Sequence, residues 1–167
     1  YIIGIILLIN GLLMLSAVHF GIYHGESSWK GILVASLVNS IIGFIFYYNT
    51  KDNENKELKR RDGYLIVILS WIAMSLFGML PYIFTDQISN VPDAFFETVS
   101  GYTTTGASIL NDIEILDHGI LYWRSLTQWI GGMGIIVLAV AILPFLGIGG
   151  MQLFLSLIHI SEPTRQD

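Results

Sequence analysis

Four apolar spans constrain the fold of this chain more than any other feature. They cover residues 1–18, 31–48, 64–84 and 125–146. Each approaches or exceeds the roughly 18 to 20 residues that a helix needs to cross about 30 Å of hydrocarbon. Because lipid offers no hydrogen-bond partners, such spans are expected to be helical. The sequence therefore predicts an all-α integral membrane protein, with two transmembrane helices in residues 1–48 and a break at Pro81 late in the third span.

The composition excludes several other classes of protein. The 167 residues are 53% hydrophobic and 13% charged, whereas a soluble domain carries roughly 25% charged residues. There is no cysteine, which rules out disulfides and thiolate metal sites. No nucleophile–base pair, paired intramembrane carboxylates or metal-ligand cluster is evident. We therefore expect no enzymatic activity, no cofactor and no nucleic-acid partner.

The distribution of charge predicts the orientation in the membrane. The segment 49–63 carries most of the basic side chains, namely Lys51, Lys56, Lys59, Arg60 and Arg61. Cytoplasmic loops are enriched in Lys and Arg, so this segment is expected to be a cytoplasmic loop. The N-terminus is then inside, and residues 19–29 and the connection between the third and fourth spans are outside.

The outer connection between the third and fourth spans is acidic. It has no Lys or Arg before Arg124 and carries six carboxylates: Asp86, Asp93, Glu97, Asp112, Glu114 and Asp117. An acidic mouth would raise the local concentration of cations. A solvated acidic loop would have the same composition, and the sequence leaves both interpretations open. Arg124 itself, at the outer end of the fourth span, is expected to be an interfacial anchor with its charge in water.

A short helix is predicted over residues 92–101 of this connection. Pro92 suits a first helical turn, where its N–H is not needed, and Asp93 complements the positive end of the helix. Ten residues extend about 15 Å, or half of the hydrocarbon core. The C-terminal end would then direct partial negative charge at a cation near the membrane centre. The alternative is an amphipathic surface helix in an outer loop.

A Thr/Gly loop, residues 103–107, follows the short helix at once. Gly106 can adopt a positive φ at low cost, which helps to turn successive carbonyls toward one axis. Irregular backbone at membrane depth is tolerated where it lines a water-filled path. In potassium-selective paths, rings of backbone carbonyl oxygens replace the hydration shell of the ion. We therefore predict a cation filter whose oxygens come from Thr103, Thr104, Thr105 and Gly106.

These segments resemble the Trk/Ktr/HKT-type potassium transporters. The resemblance runs through residues 93–97, 100–108, 123–134, 141–144 and 149–154. In that family one chain carries four helix–pore loop–helix repeats around a single pore. The resemblance implies that residues 1–48 are two additional helices, as in the Trk branch, and that residues 64–150 are the first repeat. It also implies potassium uptake across the bacterial inner membrane.

The resemblance carries expectations about partners as well. It implies a homodimer with a cytosolic nucleotide-binding regulatory subunit, and sodium or a proton as a co-ion in symport. Two alternatives remain: a single-pore-loop subunit of a homotetrameric cation channel, although the usual Thr-Val-Gly-Tyr-Gly filter is absent, and a non-conducting membrane scaffold. Residues 155–167 match a translated transposase sequencing adaptor and are expected to be an artefact, with the natural protein continuing beyond Phe154.

Two groups of smaller features complete the sequence-based expectations. Gly131, Gly132 and Gly134 are small residues inside a spanning helix, where they favour close helix packing. The histidines His19, His24 and His118 show no metal-ligand spacing and are expected to be loop residues.

Overall fold

The computed structural model describes residues 1–50 and 60–142, and all regular secondary structure in this part of the chain is α-helical. Six helices follow one another: α1 Ile2–Tyr23, α2 Trp29–Thr50, α3 Arg60–Gly78, α4 Leu80–Phe84, α5 Val91–Tyr102 and α6 His118–Ile142. Most of the predicted cytoplasmic loop (residues 51–59) and the predicted artefact (155–167) lie outside the described residues.

Three segments of the described chain are long and apolar enough to cross a membrane: Ile2–Tyr23, Trp29–Thr50 and Asp62–Phe84. They carry large apolar side chains on their outer surfaces, such as Leu12, Phe44 and Ile68, which are 63%, 58% and 55% exposed. Exposure on this scale suits contact with lipid rather than water. The prediction of an all-α membrane protein is therefore confirmed. The fourth predicted span corresponds to α6 as far as Ile142, and its last residues lie outside the described part.

Helices α1 and α2 form a tightly packed hairpin because glycine faces backbone along their contact. A Cβ atom on Gly43 would lie 2.8 Å from the Leu8 nitrogen and 3.0 Å from the Gly4 carbonyl oxygen. Further along, the Ser36 hydroxyl donates a hydrogen bond of 2.8 Å to the Gly11 carbonyl oxygen. Small residues and interhelical hydrogen bonds are the usual basis of helix association in lipid.

The third span is broken close to where Pro81 predicted a break. Helix α3 ends at Gly78 and α4 begins at Leu80, with Pro81 in its first turn. The ring of Pro81 offers no N–H to the preceding turn. The Tyr82 amide donates to the Met79 carbonyl oxygen at 3.1 Å and so does not reach Gly78. The Gly78 carbonyl oxygen accepts a hydrogen bond of 2.9 Å from Trp123 Nε1 of α6. A backbone group exposed by the break is thus satisfied by a buried side chain, as the membrane interior requires.

The core lies where α1, α2, α4, α5 and α6 meet. It contains buried side chains from all five helices and from two connecting segments: Met14, Ala17, Val18, Ile32, Ala35, Tyr82, Ile88, Ala94, Tyr102, Leu116, Ile120 and Trp123. Helix α5 is therefore held between the first hairpin and α6. Its C-terminal residue, Tyr102, is fully buried, which fixes the point at which the Thr/Gly loop begins.

We expect the hairpin to be sensitive to one methyl group at Gly43. Gly43→Ala should lower the midpoint of thermal unfolding in detergent, because the new Cβ meets backbone atoms that cannot rotate away. Gly63→Ala is the matched control, since a Cβ at Gly63 of α3 meets nothing within 4 Å and alanine favours a helix by roughly 1 kcal/mol. Equal midpoints for the two variants would contradict close packing at Gly43.

Candidate functional site

Helix α5 is the short helix between the third span and α6, and it contains the predicted segment 92–101. It begins after Asn90, whose backbone is extended at φ −82° and ψ 119°, and Pro92 occupies its first turn. The Asn90 side-chain amide donates a hydrogen bond of 2.8 Å to Asp93 Oδ2. Its twelve residues extend about 18 Å, so the helix is too short to cross a bilayer.

The backbone of the Thr/Gly loop turns back onto the end of α5. The amides of Thr103, Thr104 and Thr105 donate to carbonyl oxygens of Val99, Gly101 and Ser100 at 2.8, 3.0 and 3.0 Å. In the described part of the chain, no hydrogen bond is seen to the carbonyl oxygens of residues 103–106. All four of these residues are exposed. The loop therefore has four backbone oxygens that are unpaired in the described chain and that belong to exposed residues.

Two residues of the loop have left-handed backbone. Gly106 has a φ of 75°, the region for which the sequence suggested glycine. Thr104 has a φ of 56°, which sequence reasoning missed because nothing in a run of three threonines distinguishes the middle one. A β-branched residue is a genuine outlier in this region, and such strain costs of order 1–3 kcal/mol and clusters at functional sites.

Threonine hydroxyls line the beginning of the loop. Thr103 Oγ1 donates to the Val99 carbonyl oxygen at 2.7 Å and lies 2.8 Å from Thr105 Oγ1. At the far end of the loop, the Ser100 hydroxyl donates to the Ala107 carbonyl oxygen at 2.5 Å. Side chains of α5 and of the loop thus tie the two ends of the turn together.

Glu97 is the anchor that holds the loop to its surroundings. Its side chain is 1% exposed, and Oε1 accepts a hydrogen bond of 2.6 Å from Arg124 Nε. Its other oxygen, Oε2, accepts from the Ser108 hydroxyl at 3.0 Å and from the Ile109 amide at 3.2 Å. One buried carboxylate on α5 therefore binds α6 and the chain that leaves the loop.

This ion pair corrects two expectations from the sequence. Arg124 is not an interfacial anchor with its charge in water, because its side chain is 13% exposed and pairs with Glu97. Glu97 in turn is buried and neutralised, so it does not belong to an acidic outer mouth. Asp86, Asp112 and Glu114 remain exposed. No local pattern signals the pair, since its members lie on different helices and 27 residues apart.

Helix α6 packs closely against the end of α5. A Cβ atom on Gly131 would overlap the carbonyl oxygen of Tyr102. A Cβ atom on Gly132 would lie 3.9 Å from Thr104 Cγ2, and one on Gly134 would lie 3.7 Å from Trp71, which are ordinary contact distances. The expected packing role is thus confirmed most strongly for Gly131. Its missing side chain allows α6 to approach the residue from which the loop departs.

A second connection joins the first hairpin to the start of α6. Glu26 accepts hydrogen bonds from the amides of His118 and Gly119 at 2.9 and 3.3 Å, and its Oε1 lies 2.6 Å from His118 Nδ1. The rings of His24 and His118 are stacked, with centroids 3.8 Å apart. Two of the histidines expected in loops lie in helices, since His19 is in α1 and His118 is the first residue of α6. No group of three or more metal-ligating side chains is found among the described residues.

The position of Glu26 lowers the pKa of its carboxyl group. Burial acts to raise that pKa, but hydrogen bonds from the His118 amide, the His118 ring and the Gly119 amide outweigh it. The two amides belong to the first turn of α6, where unpaired N–H groups and the helix dipole favour an anion. Glu26 is therefore a charged cap that attaches the α1–α2 loop to α6.

A family model described as a cation transport protein, TrkH, matches residues 29–164. The chain belongs to the TrkH family. It is 42% identical to the Trk system potassium uptake protein TrkH of Halomonas elongata over 92% of its length, and 44% identical to that of Escherichia coli K12 over 90%. The crystal structure of the potassium transporter TrkH from Vibrio parahaemolyticus superimposes with a TM-score of 0.82 at 37% identity, covering 95% of this chain and 35% of that one.

The chain spans about a third of the length of these relatives, 32% and 31% for the two uptake proteins. The TrkH relatives are transport proteins rather than enzymes. Family membership and the apolar helices place the chain in the bacterial inner membrane, as the sequence predicted. The resemblance to Trk-type proteins inferred from residues of the short helix, the loop and the fourth span is likewise confirmed.

Loss of the charge on Arg124 should be among the most damaging single changes in the described chain. Arg124→Gln leaves the Glu97 carboxylate buried without a counter-ion, which typically costs about 3–5 kcal/mol. The double variant Glu97→Gln/Arg124→Gln should unfold at a higher temperature than Arg124→Gln alone, because no charge is left buried. Lys30→Gln, at an exposed cation, is the control in a detergent melting experiment. Additive losses in the double variant would argue against the pairing.

The Glu26 cap should make the contact between the α1–α2 loop and α6 sensitive to acid. A carboxyl group whose pKa is lower in the folded state stabilises that state above its unfolded pKa, and the contribution is lost as the pH falls through the folded value. The wild type should therefore lose more thermal stability than Glu26→Gln as the pH is lowered from about 5, near the upper end of ordinary carboxyl titration. Melting curves of both proteins across acidic pH test this. Parallel profiles would show that Glu26 contributes no pH dependence.

Proposed function

We propose that this chain forms part of a potassium uptake protein and that the carbonyl oxygens of Thr103, Thr104, Thr105 and Gly106 coordinate the ion. The observation that carries the proposal is the exposed loop at the end of α5, whose four carbonyl oxygens accept no hydrogen bond from the described chain. Unpaired carbonyls of this kind are suited to replace the hydration shell of potassium. The names of the TrkH relatives, which are potassium uptake proteins, support the choice of ion.

The position of α5 supports the same function electrostatically. Carbonyl dipoles of a helix sum to partial negative charge at its C-terminus, and Tyr102 at that end leads directly into Thr103. A helix too short to cross the bilayer can bring this charge to membrane depth. The charges nearest the loop do not oppose a cation, because the guanidinium of Arg124 is neutralised by Glu97.

The proposal extends to the organisation of the chain. Residues 1–48 are two transmembrane helices, and the cytoplasmic loop predicted over 49–63 is the connection between α2 and α3, which includes the end of α2 and the first turn of α3. Residues 64–150 are the first helix–pore loop–helix repeat, with the pore helix at 92–101 and the filter at 103–107. Further repeats would complete the oxygen cage around the exposed loop. A homodimer, a cytosolic nucleotide-binding regulatory subunit and sodium or proton symport belong to the same proposal, as does the artefactual origin of residues 155–167.

Gly106→Ser should narrow the discrimination of the complete protein between potassium and sodium. A side chain at a φ of 75° costs roughly 1–2 kcal/mol, and this strain would tilt the adjoining carbonyls of the loop. A loss of about 1.4 kcal/mol from potassium binding alone is a tenfold change. A Cβ here meets nothing within 4 Å in the described chain, so the effect should arise from backbone conformation rather than crowding. Growth and ion uptake in a potassium-transport-deficient bacterium measure it.

Gly25→Ser is the matched control for Gly106→Ser. Gly25 lies in the loop between α1 and α2, has a φ of 70°, and a Cβ atom placed on it would likewise have no neighbour within 4 Å. The two substitutions therefore impose the same local strain, and Gly25→Ser should leave ion discrimination unchanged. If Gly106→Ser reaches the membrane in normal amounts and discriminates as well as the wild type, residues 103–106 are not the filter.

A further inference from the structure

Asn10 is a polar side chain in the middle of an otherwise apolar helix. It lies in α1, is 1% exposed, and its Oδ1 accepts a hydrogen bond of 2.7 Å from the hydroxyl of Tyr102. Polar side chains inside membrane helices are costly and usually pair with another polar group. The partner here is 92 residues away and is the last residue of α5. The bond therefore links the first hairpin to the residue that precedes Thr103.

Tyr102 is confined on its other sides by close packing. It is fully buried, a Cβ on Gly131 would overlap its carbonyl oxygen, and a Cβ on Gly78 would lie 2.8 Å from its ring atom Cε2. Helices α3 and α6 thus limit where the ring and backbone can go. The hydroxyl bond to Asn10 adds a directional constraint, which packing alone does not supply.

Asn10 makes no hydrogen bond to α2 in the described chain. The hairpin is joined by glycine contacts and by the bond from Ser36 to the Gly11 carbonyl oxygen. Asn10 Nδ2 has no hydrogen-bond partner among the described residues. The neighbouring hairpin amide, Asn39, directs its Nδ2 to Met14 Sδ at 3.7 Å and makes no bond to α5. What distinguishes Asn10 is therefore its bond to Tyr102.

We propose that Asn10 is a positioning residue for the ion-coordinating loop. Through the Tyr102 hydroxyl it fixes the orientation of the residue from which the loop departs, and so it sets how well residues 103–106 distinguish potassium from sodium. The inference rests on the proposed function of that loop. It assigns the N-terminal hairpin a part in ion discrimination, although the hairpin itself supplies no oxygen to the loop.

The test is a double-mutant cycle in the complete protein, with the ratio of potassium to sodium uptake as the readout. Asn10→Leu removes the acceptor while keeping the number and branching of the heavy side-chain atoms, and Tyr102→Phe removes a single oxygen atom. Each should lower the ratio by about two- to tenfold, the range that corresponds to one net hydrogen bond. The uptake ratio of the double variant should be no lower than that of the single variant with the lower ratio, because both changes break the same bond.

Asn39→Leu is the control, since Asn39 is also an asparagine of the hairpin and is fully buried. It should leave the uptake ratio at the wild-type value even if it lowers stability. An equal fall in this variant would overturn the inference, because discrimination would then follow hairpin stability in general. Should Asn10→Leu fail to insert, Tyr102→Phe and Asn39→Leu decide the question by the same ratio.

The remaining outcomes separate this inference from the proposed function. A normal ratio in Tyr102→Phe, together with a reduced ratio in Gly106→Ser, would overturn the positioning role and leave the filter assignment intact. A normal ratio in Gly106→Ser would refute the filter assignment and this inference with it. Additive effects of Asn10→Leu and Tyr102→Phe would also overturn the inference, since the two groups would then act independently.

Discussion

The buried ion pair between Glu97 and Arg124 is the interaction on which the geometry of the loop depends. A carboxylate at 1% exposure is stable only when its charge is paired and its oxygens are hydrogen-bonded. Glu97 meets this requirement with partners on α6 and on the chain after the loop, Ser108 and Ile109. The start of the loop is fixed by the helix that carries Glu97, and the chain beyond its end is fixed by the same side chain. Because the buried charge requires these partners, they hold the chain on both sides of residues 103–106 in place.

That constraint explains how the loop can hold strained backbone on an exposed surface. Thr104 and Gly106 both have positive φ within three residues, and an unsupported loop would relax toward cheaper conformations. Here the amides of residues 103–105 bond back to α5, and Ser100 binds the Ala107 carbonyl oxygen. The amides of residues 103–105 are used for the loop's own support, whereas the carbonyl oxygens of residues 103–106 accept no hydrogen bond in the described chain. A loop built this way is already shaped without a ligand, so under the proposed function it would bind an ion at a low ordering cost.

The sequence predicted the elements better than it predicted their contacts. Span positions and the short helix follow from local properties, namely apolar length, Pro92 and Asp93, and the structure places helices there with ends shifted by a few residues. The break near Pro81 is local in the same sense. Arg124 was misjudged because an arginine at the end of an apolar span looks the same from the sequence whether water or a buried carboxylate receives it. The strain at Thr104 and the bond from Asn10 to Tyr102 depend on how distant segments meet, and no local pattern encodes them.

The side-chain hydrogen bonds between the first hairpin and the rest of the described chain fall at two helix ends. Glu26 caps the first turn of α6, and Asn10 bonds to the last residue of α5. These are the two helix ends that flank the connection from Thr103 to Asp117, so the hairpin bridges its beginning and its end. Directional hydrogen bonds at both places restrict rotation as well as separation of the two helices. Apolar packing alone would permit sliding at little cost in lipid, where helices gain no hydrophobic energy from contact. The polar contacts of α1 and of the α1–α2 loop therefore make the hairpin a support for the Thr/Gly loop as well as a pair of apolar helices.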